Sequence, residues 1–384
     1  MKLAARISAI AVLLLLVFPT KANVKPAPVD AWPLWESYKS RFVSLDGRVV
    51  DWHENGRTTS EGQAYALFFA LVANDRDTFS SVLRWTQVNL AQGSLRDRLP
   101  SWVWENSSSL GGAVRDFNSA SDADLWMAYA LITAGRVWNN AEYQSLGRSL
   151  AERIAKEEVV FLPNNGPMLM PGHGGFRPEP QVHILNPSYL PPQVLNGLAA
   201  EFPNGPWKNT ESGLPKLLSP RVGNGFAMDW VEYRANVGYA AAVGPNGSTG
   251  GSYDAIRVYL WAGMLNRQTD GYQQLLSSLS GMEQYMRTHP IPPERVAPDG
   301  SIISESSPVG FSAATIPFLI AIGNLQAATD QEARLKKEFS EVTGLYGKEP
   351  SYYDQNLVLF SKGWSEGRYR FDPDGRLWLR WRKP

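Results

Sequence analysis

The chain has 384 residues, with 37 Lys and Arg against 37 Asp and Glu, so its formal net charge is zero. That balance offers no basic field for nucleic acid, and the absence of cysteine excludes disulfides and thiolate catalysis. The four histidines, His53, His173, His183 and His289, show no HExxH or comparable spacing, so a zinc site is not expected.

From the N-terminus, Lys2 and Arg6 precede an apolar run from Ile7 to Phe18, and Thr20-Lys21-Ala22 supplies a small-residue cleavage site. The run is too short to span a bilayer convincingly. The expectation is a signal peptide over residues 1–22 and one domain over 23–384, periplasmic or secreted, with no stable membrane insertion after cleavage. An uncleaved anchor is the alternative.

Helical periodicity dominates the rest. Helices are predicted over Pro33–Val43, Glu61–Asn74, Asp77–Ala91, Asp122–Trp138, Ala141–Val159 and Pro187–Phe202, then Lys208–Ser219, Tyr253–Leu265, Gly271–Arg287, Ser312–Asn324, Gln331–Val342 and Tyr352–Trp364. Segments such as YALFFALVA, LWMAYALI and IRVYLWAGML are apolar nearly all round and belong inside. Their neighbours, such as EYQSLGRSLAERIAKEE, keep one polar face. Buried and amphipathic helices alternate, and consecutive elements usually pack together. The expected fold is all-α: an (α/α)6 barrel of six inner and six outer helices, with short β-hairpins in loops and one at the C-terminus turning at Asp374-Gly375. The long loops Gln92–Ser121, Phe161–Asn186, Arg221–Ser252 and His289–Phe311 all lead into inner helices and share one end of the barrel. Loops of such length in a compact domain are usually functional.

Three acidic residues open three of the inner helices: Glu61 in TSEG, Asp122 in ASDAD and Asp254 in SYDA. Each has a structural alternative. Thr58-x-x-Glu61 fits a capping box, and Asp122 and Asp254 suit helix N-caps or first turns. Three such residues at corresponding positions would instead converge on one end of the barrel, where two carboxyls in opposite protonation states can act as acid and base. Helix N-termini favour ionised carboxylates, so a protonated Glu61 needs desolvation and neighbouring negative charge to outweigh the dipole. The 14 tryptophans, with 15 Tyr and 15 Phe, exceed what a core demands. Flat indoles stack on the apolar faces of sugar rings. Trp102 and Trp104 lie in a loop of the expected active face and are either stacking platforms or loop packing. Trp126 and Trp261 are expected in the core, while Tyr189, Trp230 and Tyr353 are weaker cleft candidates.

The motifs TTSEGQAYALFFALVAND, NSASDADLWMAYAL, NPSYLPP, SYDAIRVYLW and PVGFSAATIPFL resemble those of glycoside hydrolase family 8, with ASDAD matching its signature A-[ST]-D-[AG]-D. The resemblance runs from Trp32 to Trp364 and is nearest to members encoded with bacterial cellulose synthase. It implies an (α/α)6 barrel, inverting endo-hydrolysis of β-1,4-glucan and no cofactor, and a possible functional association with a cellulose synthase and export complex. Carried over by motif, Glu61 resembles the general acid and Asp254 the base, while Asp122 resembles the residue holding the sugar at the cleavage subsite. Tyr253 and Arg257 flank the base and are expected to orient it or bind substrate, and Asp124 is expected to support the site. Two other readings stay open: a catalytically silent glucan-binding component of a secretion system, and a related barrel enzyme acting on chitosan, xylan or, as a lyase, a uronate polymer.

Overall fold

A computed structural model of the chain describes residues 31–107, 111–245 and 247–382. The expected signal peptide lies outside the described residues, and everything below belongs to the compact unit that starts at Trp32. The unit is mostly helical, with short antiparallel hairpins between the helices.

Six helices are buried on nearly every side: Ser60–Val72, Ser121–Trp138, Pro192–Glu201, Ile256–Met264, Val309–Ala321 and Tyr352–Ser365. Each packs against the next in that order, and Phe360 of the last meets Tyr65, Phe68 and Phe69 of the first. The Phe360 ring also touches Trp126 and Trp261, whose own rings lie 5.3 Å apart. The core therefore sits where these helices converge, and both tryptophans belong to it, as the sequence suggests. Each buried helix carries an amphipathic partner, such as Arg76–Asn89 on the first and Ala141–Glu157 on the second. Burial of one stripe of each partner against an apolar neighbour gives most of its stability, since helices of this length are marginal alone.

Several predicted boundaries move for identifiable reasons. Lys208–Ser219 is not one helix but Trp207–Ser212 and Leu214–Leu217, followed by a further turn at Pro220–Gly223. Pro215 and Pro220 lack the N–H that a continuous helix needs. Pro191 and Pro192 likewise separate a single turn at Pro187–Tyr189 from Pro192–Glu201. Gly271–Arg287 divides into Tyr272–Ser277 and Ser280–Tyr285. The helix expected at Gln331–Val342 runs instead over Leu325–Glu338, because the Asn324 side chain caps it by accepting from the Ala327 N–H. Residues 339–340 then pair with 345–346 as strands. The C-terminal hairpin forms as expected, Tyr369–Phe371 on Leu377–Leu379. Gly375 takes φ +75° in its turn, and its carbonyl accepts from Tyr129 Oη at 2.7 Å.

The long loops are stitched together. Thr58–Thr59 pairs with Val103–Ser107, which pairs with Gly111–Asp116. Ser121 N–H donates to Pro171 O, and Asn118 Nδ2 to Gly174 O. Val182–Leu185 pairs with Val231–Arg234, and a bridge joins Gly251 to Val296. Each of the four loops is thus bonded to another loop, which fixes the approaches to the acidic helix starts.

Candidate active site

Glu61 sits in the first turn of Ser60–Val72, but it does not close a capping box. Thr59 is the cap, accepting from the Gly62 N–H, whereas Thr58 Oγ1 donates to Val49 O. The Glu61 carboxylate is left free to face inward. Tyr352 Oη donates to its Oε1 at 3.0 Å. Gly62 makes room for that phenol, since a Cβ there would stand 2.9 Å from the Tyr352 hydroxyl. Asp254 is not a helix cap either: the helix begins only at Ile256. The preceding turn is held by Asp229, which accepts from the N–H groups of Ser252 and Ala255 and from Ser252 Oγ.

One guanidinium joins all three carboxylates. Arg257, fully buried, donates through Nη1 to Glu61 Oε2 at 2.5 Å and to Asp122 Oδ2 at 2.8 Å, and through Nη2 to Asp254 Oδ1 at 2.7 Å. Tyr65 Oη and Ser188 Oγ accept from the same two nitrogens. Arg257 thus holds Asp254 and, beyond that expectation, Glu61 and Asp122 as well. It occupies the space between three acids, where a cation would otherwise be needed to offset them. Among the described residues no group of His, Asp or Glu side chains is arranged to hold a metal ion.

The three carboxyls differ in access. The side chains of Glu61 and Asp254 are 20% and 30% exposed, against 3% for Asp122. Burial pushes Glu61 up to about 7; Arg257 and the Tyr352 hydrogen bond oppose that rise, while Asp122 and Asp254 reinforce it. Burial likewise raises Asp122, against the pull of Arg257. Asp254 takes a second hydrogen bond, from Asn186 Nδ2 at 3.0 Å. The result is a pair of accessible carboxyls on different nitrogens of one guanidinium, one of them able to keep a proton near neutrality. Such a pair can donate a proton to a leaving oxygen and accept one from water.

The aromatic expectations divide. Tyr253 is 46% exposed, with its ring edge-on to Phe311 and its hydroxyl donating to Glu294. Its hydroxyl is thus turned to Glu294 and not to the Asp254 carboxylate, whose hydrogen bonds come from Arg257 and Asn186. Tyr353 packs beside Tyr253 and donates to its carbonyl. Tyr189 lies under the Arg257 guanidinium and beside Trp230, which stacks on Phe176. Trp102 is half-buried, held by Nε1 donating to Asp116 at 2.8 Å. Trp104 is not a platform: its ring is buried edge-on against Trp85, with Arg48 over it and the Gly112 backbone pressed to it. Asp124 is wholly buried and so cannot touch a substrate. Asn186, Ser188, Asp229, Tyr65 and Tyr352 were not anticipated as site residues. Asn186 and Ser188 stand in the NPSY motif and were within reach of a reading of the sequence, whereas nothing local marks Asp229.

Six buried helices packed in succession, with two accessible carboxyls held by one arginine beside their N-terminal ends, suit the acid–base chemistry of a glycoside hydrolase. Residues 5–367 match Glycosyl hydrolases family 8, and the chain belongs to that family. It is 40% identical over 369 residues to an endoglucanase of Xanthomonas axonopodis pv. citri, covering 96% of this chain and 94% of the relative. An endoglucanase of Salmonella typhi is 41% identical over 368 residues, covering 96% and 95%. The crystal structure of endo-1,4-D-glucanase from Vibrio fischeri ES114 superposes with a TM-score of 0.82 at 36% identity, covering 92% of this chain and all of that one. A cold-adapted family 8 xylanase shares the fold at a TM-score of 0.66 and 14% identity, covering 86% of this chain and 89% of that one.

Proposed function

We propose that the chain is an endo-1,4-β-glucanase that hydrolyses internal bonds with inversion, on an (α/α)6 barrel whose inner ring is the six buried helices. The observation that carries this reading is the Arg257 bridge, which holds an acid raised to about 7 opposite a second, accessible carboxylate. Glu61 protonates the glycosidic oxygen as the C1–O bond breaks. Asp254 takes a proton from a water that attacks C1 from the opposite face, so the new hydroxyl has the inverted configuration. Asp122 forms the floor of the cleavage subsite and fixes Arg257. Tyr253 and Trp102 stack on sugars further along the strand. The relatives' names favour β-1,4-glucan over chitosan or xylan, and retention of both accessible carboxyls favours an enzyme over a silent binding component.

Lys2, Arg6 and the Ile7–Phe18 run support export. Among the described residues no helix is long and apolar enough to cross a membrane. The location inferred is the periplasm, on the path of a nascent glucan, in functional association with its synthase. Reducing-end release from carboxymethylcellulose, chitosan and xylan, run side by side, tests the substrate assignment. Carboxymethylcellulose should be cleaved fastest, and a clear preference for either of the others would reassign the enzyme.

A further inference from the structure

Two buried acids take no part in the chemistry above. Asp124 lies two residues beyond Asp122 in Ser121–Trp138, and Glu158 caps the C-terminus of Ala141–Glu157. Neither residue is exposed at all. The two carboxyls lie within hydrogen-bonding reach of each other. Among the described residues, no N–H or O–H reaches either oxygen of Asp124 or Oε2 of Glu158. Ionised carboxylates only accept, so two of them in contact, with no donor between them, can bond only through a proton that one of them keeps. Leaving both charged in a dry site would place two unpaired buried anions side by side, which is strongly unfavourable.

The surroundings decide which acid keeps it. Ser119 Oγ donates to Glu158 Oε1 at 2.5 Å, giving Glu158 a second hydrogen bond that suits a carboxylate. Asp124 has none apart from Glu158. Burial pushes both acids up; the charge of Glu158 pushes Asp124 further, whereas the bonds from Ser119 and Asp124 draw Glu158 back. Asp122 and Glu157, both negative, act on the two acids, with Arg257 beyond them on Asp122, and His173 faces Ser119.

We propose that Asp124 is kept as a carboxylic acid donating to Glu158, and that this pair positions the turn carrying Asp122. The mechanical link is Ser119. Its hydroxyl donates to Glu158 and accepts from the His173 N–H at 3.0 Å, three residues ahead of Asp122. The pair thus ties the start of the Asp122 helix to the end of its outer partner and to the 170–174 loop. Asp124 and Glu158 are positioning residues, and the proposal rests on the hydrolase reading of Asp122 only for its kinetic consequence.

The protonation claim is read without activity. On the alkaline side of the value of about 8 to which burial pushes Glu158, infrared spectra of the folded wild type should retain the C=O stretch of a buried carboxylic acid. Asp124→Asn should remove it. Absence of the band in the wild type, or its persistence in the variant, overturns the assignment. In Asp124→Asn the amide donates the same bond to Glu158, so kcat should stay near the wild-type value. Asp124→Ala should lose kcat by roughly tenfold to a hundredfold with little change in KM, the scale expected of a slightly misplaced group. Equal kcat for the two variants would refute the positioning role. If Asp124→Ala fails to fold, the infrared comparison still decides the protonation, and a kcat for Asp124→Asn far below wild type still contradicts the role.

Discussion

Glu61 meets two opposed demands, since the first turn of a helix and a guanidinium both favour its anion, while a general acid must hold a proton. The conflict is resolved by burial with two carboxyl neighbours, and it fixes the sign of the pH dependence. Turnover should fall as pH rises through about 7, where Glu61 ionises. Its pKa is raised on folding, so the native state binds more protons and stability also declines with pH over the window from 4.5 to about 7. A pH–kcat profile and a melting series check both. Glu61→Gln should keep the fold and glucan binding yet lose on the order of 10²–10⁴ in kcat, the usual cost of removing a general acid. Near-normal turnover of a natural substrate would contradict the role. The two loop tryptophans should separate in the same assays. Trp102→Ala should raise KM for long oligosaccharides more than for short ones. Trp104→Ala should instead lower Tm, losing roughly 3 kcal/mol of packing, with KM unchanged.

At the scale of elements, Arg257 is the joint of the site. It projects from Ile256–Met264 and reaches Ser60–Val72 and Ser121–Trp138 through Glu61 and Asp122. Removing it strands three carboxyls in a largely buried space, and breaking such a network costs about 3–5 kcal/mol. Arg257→Ala should therefore show a lower Tm that recovers partly at acid pH, where the acids protonate. Arg257→Lys should rescue little, because one ammonium cannot span acceptors placed for a planar fork. Full activity in the lysine variant would show that charge alone suffices. The alternation of apolar and amphipathic helices was legible in the sequence because hydrophobic period reports burial directly, as in YALFFALVA against TFSSVLRWTQVNL. Glu61, Asp122 and Asp254 were legible as acids opening apolar segments. Asp229 and Glu158 were not, since their partners lie 23 and 39 residues away and only the fold brings them together. The misplaced boundaries at 207–223 and 325–338 have local causes, prolines in the first and the Asn324 cap in the second, which periodicity alone overrides.

For the whole molecule, the stitched loops determine what can reach the carboxyls. Thr58–Thr59 is pinned by the 103–107 strand, and the Asp254 turn by Asp229 and by the bridge at Gly251, so the segments that carry the carboxyls are braced by neighbouring loops. Under the proposed function, exposed Tyr253 and half-buried Trp102 would offer single rings to single sugars, which suits one free glucan strand and not a strand packed in a crystal. The enzyme should cleave soluble or amorphous β-glucan many times faster than crystalline cellulose, as measured by reducing ends at equal mass of substrate. Processive release of cellobiose alone from crystalline material would overturn that view. The stereochemistry tests the central claim most directly. Glu61 and Asp254 are held by different nitrogens of Arg257, and in the proposed inverting scheme the base acts through water and not on the sugar itself. Proton NMR of a cello-oligosaccharide digest should show the α-anomer as the first-formed product, before mutarotation. A first-formed β-anomer would contradict the account and make Asp254 or Asp122 a covalent nucleophile.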